Sequence, residues 1–268
     1  MINAITAANA TGEADTINLE AGVYSLQAVA ETNDDGPNGL PSITTVVTIV
    51  GNRSSIRRVS TLDFVSEFRI VHVGETGNLT LDSITISDGS LSDSSLNGAG
   101  VFNRGRLTIT KSTISRNVSS FEDGGGIFNI NSTVTVTDSI IADNGVGDGV
   151  GGGIVNLGTF TIKNSTIRNN GAGFGGGGIY SAGNITILDS TISGNRAVDF
   201  GLGGGIWNDG HLGMSNSTVT NNSVEFSGGG IFSRGNAVVI NSTITNNQGG
   251  DASESAAGGI QNSGGTFE

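Results

Sequence analysis

The feature that most constrains this chain is a repeat of 25 to 29 residues, clearest at residues 175–195, GGGGIYSAGNITILDSTISGN. Two markers recur at this interval. The apolar residue after the glycine run falls at Val101, Ile127, Ile154, Ile179, Ile206, Ile231 and Ile260, and the serine of the second motif falls at Ser83, Ser112, Ser139, Ser165, Ser190, Ser217 and Ser242. Because two independent markers keep the same interval, the sequence is a repeat array.

The periodicity within one copy predicts three short strands. Ile179, then Ile185 with Ile187, and then Ile192 alternate with polar residues, and Gly, Asn, Asp or Ser bounds each group. One copy buries too few side chains to offset the ordering of its backbone, whereas stacked copies pair their backbones and share a core. The predicted fold is therefore an all-β, single-stranded parallel β-solenoid of eight or nine rungs.

The array predicts a single domain over residues 1–268, without an internal boundary. Residues 1–69 are interpreted as an N-terminal cap with irregular first rungs, and residues 70–268 as regular repeats. Residues 2–10 predict a short capping helix, because an uncovered solenoid end exposes backbone and core. The polar stretch 28–42 predicts a loop leaving the coil, either as a solvated excursion or as part of a binding face.

The composition excludes several classes of partner. The chain has 24 acidic and 12 basic residues and a net charge of −12, which argues against binding nucleic acid or an anionic membrane. No apolar run approaches membrane-spanning length, and no secretion signal follows Met1. The absence of cysteine leaves the redox compartment open.

Two kinds of column are expected where rungs stack. If Ile179 points inward, the next residue of each rung points outward. This outer aromatic column contains Phe102, Phe128, Val155, Tyr180, Trp207, Phe232 and Gln261. Its aromatic members predict an interaction stripe for another copy, another chain or a ligand; the alternative is an inward column at a bend. Asparagines recurring at the last turn, such as Asn195 and Asn222, predict a buried hydrogen-bonded ladder, and the alternative is a ligand-binding row.

The repeats resemble a known group of proteins. The motif Gly98-Ala99-Gly100-Val101 and its successors, with turns such as Ile192-Ser193-Gly194-Asn195, is similar to the GGA-I and F-x-x-N repeats of polymorphic outer-membrane proteins. It also resembles the pectate-lyase-like β-helices of bacterial surface proteins. Residues 2–26 resemble the segment that follows a Cys-Ser-Leu-Arg-Glu-Ala motif in secreted bacterial proteins, although that motif is missing here. The resemblance implies a right-handed parallel β-helix at the cell surface.

The supply of reactive residues predicts that the chain is not an enzyme and holds no metal or cofactor. Asp82, Asp138 and Asp189 share a column but lie on alternate rungs, roughly 9–10 Å apart. His72 lies within a strand pattern and His211 replaces a turn residue, so neither histidine has an evident partner. Lyases and hydrolases on this fold need carboxylates that converge on one face.

The predicted function is that of an extracellular or cell-surface structural protein that associates end to end with its own copies or with other surface chains. The expected contacts between ends are Ile2 and Ile5 at the start and Ile260 and Phe267 at the end. A second interpretation is an adhesin or carbohydrate-binding module with a polysaccharide partner. A third is a polysaccharide lyase or hydrolase.

Overall fold

A computed structural model describes residues 1–59, 67–199, 201–250 and 257–268. One helix, α1 (Ile2–Thr11), opens the chain and ends at Gly12, whose φ of 70° is left-handed. In chain order the strands are β1 (Asp15–Asn18), β2 (Val23–Leu26), β3 (Glu31–Asn33), β4 (Gly36–Asn38), β5 (Val46–Arg58), β6 (Val71–Val73), β7 (Asn78–Ser87), β8 (Ser90–Leu91), β9 (Val101–Asn103), β10 (Arg106–Thr110), β11 (Thr113–Ser115), β12 (Val118–Ser119), β13 (Ile127–Thr137), β14 (Ile140–Ala142), β15 (Gly145–Val146), β16 (Ile154–Lys163), β17 (Thr166–Arg168), β18 (Gly171–Ala172), β19 (Ile179–Ser181), β20 (Asn184–Leu188), β21 (Thr191–Ser193), β22 (Arg196–Ala197), β23 (Ile206–Asn208), β24 (His211–Ser215), β25 (Thr218–Thr220), β26 (Ser223–Val224), β27 (Ile231–Ser233), β28 (Asn236–Ile240), β29 (Thr243–Thr245) and β30 (Ile260–Asn262).

Each rung stacks in parallel on the next, as predicted. The pairs β19–β23, β20–β24 and β21–β25 repeat one arrangement of three strands, and the short strands β8, β12, β15, β18, β22 and β26 form a separate six-stranded sheet. The solenoid has about seven turns, fewer than the eight or nine rungs expected. Among the described residues, no helix has the length and apolarity needed to cross a membrane.

The predicted core ladder is confirmed. Ile127, Ile154, Ile179, Ile206 and Ile231 pair in register and are all fully buried. At the N-terminal end, α1 covers this core as predicted, and its Ile5 and Ala8 are buried within the same apolar cluster.

That packing corrects the prediction of Ile5 as an end-to-end contact. Ile5 is fully buried because it lies on the inward side of the helix. Of the other expected contacts, Ile2 and Ile260 are exposed, and Phe267 is partly buried against the core. Association between ends stays a prediction.

The turns explain why polar residues recur at fixed positions of the repeat. The turn before each third strand has a left-handed residue, with φ between 47° and 52° at Lys111, Asp138, Asn164, Asp189, Asn216 and Asn241. Asn and Asp tolerate this conformation better than other residues with a Cβ. The later asparagine column, from Asn117 to Asn247, is a hydrogen-bonded ladder within the coil. The structure therefore confirms the ladder interpretation.

The stretch 28–42 differs from the predicted loop. It contains an antiparallel hairpin of β3 and β4, in which Glu31 is aligned with Asn38. The hairpin folds back onto the first rungs, where Asn38 forms a parallel bridge with Arg69 and is fully buried. Its turn thereby brings Asp35 against side chains of the regular repeats.

Candidate functional site

The outer aromatic column faces away from the core, as predicted. Register pairs Phe102 with Phe128, Phe128 with Val155, Tyr180 with Trp207, and Trp207 with Phe232. Phe102, Phe128 and Val155 form an apolar cluster distinct from the interior core. The register also adds His72, which pairs with Phe102 and stacks on its ring.

The column is not one continuous exposed stripe. Phe102, Phe128 and Phe232 are at most 6% exposed, whereas Tyr180 and Trp207 remain partly exposed. Residues leading into the strands cover the buried part, and Val150 is among the side chains that pack on it. A ligand therefore meets aromatic rings mainly at Tyr180 and Trp207, and the role of the column as an interaction stripe stays a prediction.

Asp209 organises the exposed end of the column. Its Oδ1 accepts hydrogen bonds from Trp207 Nε1 and Arg234 Nε, both at 2.7 Å. Its Oδ2 accepts from Tyr180 Oη at 3.2 Å and from Arg234 Nη2. The Arg234 guanidinium lies 5.1 Å from the centre of the Trp207 ring, and about half of the Arg234 side chain is exposed. The cluster therefore presents a fixed cation and aromatic edges to solvent.

The electrostatics of this cluster fix its protonation at neutral pH. Burial, reinforced by the charge of Asp209, raises the pKa of Tyr180 to about 12, so its hydroxyl keeps its proton. Burial acts to raise the pKa of Asp209, but hydrogen bonds from Arg234 and Trp207 outweigh burial and hold it below its usual value. The site therefore contains an ionised carboxylate, a charged guanidinium and a neutral phenol.

A second charged cluster lies at the other end of the column. Arg104 donates two hydrogen bonds to Asp35, at 2.8 and 2.6 Å. His72 lies 3.0 Å from Asp35 through Nε2 and 2.9 Å from the Ser42 hydroxyl through Nδ1. Arg69 is fully buried and lies over the Phe102 ring, 4.9 Å from its centre. The hairpin turn is thus held to the column by charge-assisted hydrogen bonds.

Burial has the largest effect on the pKa of His72 and of Arg69 in this second cluster, whereas the hydrogen bond from Arg104 has the largest effect on the pKa of Asp35. Burial lowers the pKa of His72, although the hydrogen bond to Asp35 opposes the shift. The hydrogen bond from Arg104 lowers the pKa of Asp35 against the effect of burial. Burial also lowers the pKa of Arg69 to about 10. At neutral pH the buried imidazole is therefore uncharged between an ionised aspartate and two arginines.

A shallow groove of about 390 Å³ lies between the two clusters. It is lined by Asn131, Ser132, Thr133, Leu157, Gly158, Thr159, Gly183 and Asn184. Leu157 is partly exposed, as is Ile130, its register partner on the previous rung. Both occupy the position two residues beyond the aromatic column, where Arg104, Asp209 and Arg234 also occur. Amides and hydroxyls thus adjoin apolar side chains between the two arginine–aspartate pairs.

No group of three or more His, Cys, Asp or Glu side chains in the described ranges is placed to hold a metal ion. The carboxylates near the outer column are instead engaged by arginines, and Asp123 accepts a hydrogen bond from the backbone of Val150 at 2.8 Å.

A family model described as a right handed beta helix region matches residues 49–222. The chain belongs to this family. The match confirms the predicted right-handed β-helix and covers most of the regular repeats. No curated protein matches the sequence at a significant level.

One solved structure with the β-helix fold is similar to this chain. The A-module of the mannuronan C-5 epimerase AlgE4 from Azotobacter vinelandii is 16% identical, with a TM-score of 0.33, and the alignment covers 100% of this chain and 94% of that chain. The likeness is one of fold alone.

The epimerase corrects the prediction that the chain is not an enzyme. That prediction rested on the spread of acidic residues over separate rungs. The prediction also assumed that His72 has no partner, whereas Asp35 and Ser42 both contact it.

Sequence reasoning missed the charged members of the outer face. Asp209 and Arg234 each lie two residues beyond an aromatic of the column, so the alternation of a strand would have placed them on the same side. No pattern in the sequence indicated Asp35, because the hairpin that places Asp35 beside Arg104 lies outside the repeat.

Proposed function

We propose that this β-helix protein binds a polysaccharide along its outer aromatic column. The observation that carries the proposal is the pair of Tyr180 and Trp207. Asp209 accepts hydrogen bonds from the polar atoms of both rings and holds them beside the exposed guanidinium of Arg234. Sugar-binding sites combine apolar surface for the carbon–hydrogen faces of the rings with a few oriented polar groups for the hydroxyls. This cluster has both in a rigid arrangement.

The remainder of the face supports an extended ligand. Ile130 and Leu157 provide partly exposed apolar surface, and the groove beside Leu157 adds amides and hydroxyls. From Arg104 to Arg234 the face spans five rung intervals, roughly 24 Å along the axis. A chain molecule can contact this length, whereas one monosaccharide cannot. We also propose an extracellular or cell-surface location, where cell-wall and capsular polysaccharides are found.

The test is binding of the purified protein to a panel of neutral and acidic polysaccharides by affinity electrophoresis. We expect retardation by at least one of them, and Arg234→Ala should weaken it about tenfold by removing charge-assisted hydrogen bonds. Arg196→Ala is the matched control, because Arg196 also forms an exposed ion pair, with Glu225 at 3.5 Å, on the separate six-stranded sheet. The variant Trp207→Phe keeps the apolar ring but removes the Nε1 donor to Asp209.

Two results would overturn the proposal. One is a lack of retardation by every polysaccharide of the panel. The other is an equal loss of affinity in the Arg234 and Arg196 variants, which would show that charge in general, and not the Trp207 site, governs retention.

A further inference from the structure

Two exposed phenylalanines border the outer aromatic column at the tips of short loops. Phe174 is 49% exposed and Phe226 is 41% exposed. Isolated parallel bridges join Gly175 to Leu202 and Leu202 to Ser227. Phe174 and Phe226 immediately precede the first and last of these residues. They therefore occupy equivalent positions two rungs apart.

The lengths of the loops create this spacing. Only Gly173 and Phe174 separate the end of β18 from Gly175, and only Glu225 and Phe226 separate the end of β26 from Ser227. The intervening rung has a longer loop, and the residue before Leu202 is Gly201. In the register of these bridges the equivalent residue on that rung is Gly201, which has no side chain, and Phe200 before it lies outside the described residues. Two phenylalanine rings project on alternate rungs, roughly 9–10 Å apart along the axis.

These rings adjoin the proposed polysaccharide site. A Cβ added to Gly175 would lie 2.4 Å from Cε3 of Trp207, so the Trp207 ring packs directly on the backbone next to Phe174. On the other side of the column, Asp209 and Arg234 provide polar groups. A sugar chain running along the axis would therefore have aromatic contacts on one side and hydrogen-bonding groups on the other.

We propose that Phe174 and Phe226 are stacking platforms that select an extended β-1,4-linked polysaccharide aligned with the solenoid axis. In such a chain successive rings alternate in orientation, so every second sugar presents the same face, at close to the interval between the two phenylalanines. Chains with α-1,4 or β-1,3 linkages curl and do not keep that interval. This inference rests on the proposed function and specifies the class of ligand.

The test is isothermal titration with four hexasaccharides: cellohexaose and chitohexaose, which are β-1,4-linked, maltohexaose, which is α-1,4-linked, and laminarihexaose, which is β-1,3-linked. We expect one or both β-1,4-linked probes to bind at least tenfold more tightly than the other two. Phe174→Ala and Phe226→Ala should each weaken that binding about tenfold, since each removes one apolar contact face. Ile240→Ala is the control, because Ile240 is 53% exposed on β28.

The outcomes separate the two proposals. Tight β-1,4 binding that depends on both phenylalanines, with no effect at Ile240, supports the inference. Equal binding of all four probes, or phenylalanine variants that behave like the Ile240 variant, overturns it while leaving polysaccharide binding at Arg234 intact. Absence of binding to every hexasaccharide and every polysaccharide overturns both. Circular dichroism of the variants verifies that each loop substitution leaves the solenoid folded.

Discussion

The buried asparagine ladder gives a direct test of what holds the rungs together. Asn195 is fully buried in the middle of the ladder. Its Oδ1 accepts two hydrogen bonds from Asn170, one from the backbone N–H and one from the side-chain amide, each at 3.0 Å. Its Nδ2 donates to the Ile167 carbonyl at 3.1 Å and to Asn222 Oδ1 at 2.9 Å. We predict the effect of Asn195→Ala from these four contacts.

The substitution removes the acceptor of two buried N–H groups of Asn170, its backbone N–H and one N–H of its amide, although Nδ2 keeps its bond to the Ile141 carbonyl. Each unsatisfied buried group costs roughly 1–3 kcal/mol, so the free energy of unfolding should fall by roughly 2–6 kcal/mol. The lost donor to Ile167 adds less, because an under-satisfied carbonyl is tolerated better than an orphaned N–H. The backbone N–H of residue 195 keeps its bond to Asn222 Oδ1, which limits the damage to one side of the rung.

The assay is urea unfolding followed by circular dichroism, with hydrogen exchange of the Asn170 amide as a local probe. The matched control is Asn184→Ala, which makes the same change in the same rung at an exposed residue. We expect the control to stay within about 0.5 kcal/mol of the natural protein. Equal stability of the two variants, or unchanged protection of the Asn170 amide in Asn195→Ala, would refute the ladder as the source of rung stability.

Two further predictions concern the core and the hairpin cluster. Ile179→Asp places a carboxylate at a fully buried position without a partner, so thermal unfolding should show a loss of several kcal/mol, whereas an unchanged melting temperature would contradict the proposed register. Because burial lowers the pKa of His72, the unfolded state binds its proton more readily, and stability should fall as the pH decreases below about 6.5. The lowered pKa of Asp35 affects stability in the same direction, because stability should also fall as the pH decreases below about 3.8. His72→Phe keeps an aromatic ring against Phe102 and should remove the loss of stability below about pH 6.5. Identical urea midpoints at pH 7.5 and 5.5 in the natural protein would contradict the predicted effect of His72.

The fold was predictable from the sequence because the same physical requirement recurs on every rung. Ile154 and Ile179 occupy equivalent buried positions, and Asn170 and Asn195 occupy equivalent turns, so one copy informs the reading of the next. The first rung shows the limit of this approach. Ser83 was aligned with the serine column, but Ile84 is the residue whose N–H bonds the Ser112 hydroxyl. In the irregular early rungs, the serine used to align the repeats therefore lies one residue away from the position that it occupies in later rungs.

The candidate site was only partly predictable, since strand alternation gives direction but not exposure. Alternation correctly placed Phe128 and Trp207 on the outer side of their strands. It could not show that Phe128 is covered while Trp207 remains partly exposed, because the covering loops differ in length between rungs. The contact of Asp35 with Arg104 joins residues 69 positions apart through a hairpin that follows no repeat.

These differences share one physical cause. Each rung of a solenoid places the same structural requirements on equivalent positions. Residues that satisfy buried positions therefore recur in columns, and these columns indicate the fold. Arg104, Asp209 and Arg234 break the pattern of the apolar residues Ile130 and Leu157 at the same position of the rung. The backbone does not require a charge there, and each arginine is matched by a carboxylate that holds it against an aromatic ring. In this protein these departures from the repeat lie together on the single outer face at which we propose that a polysaccharide binds.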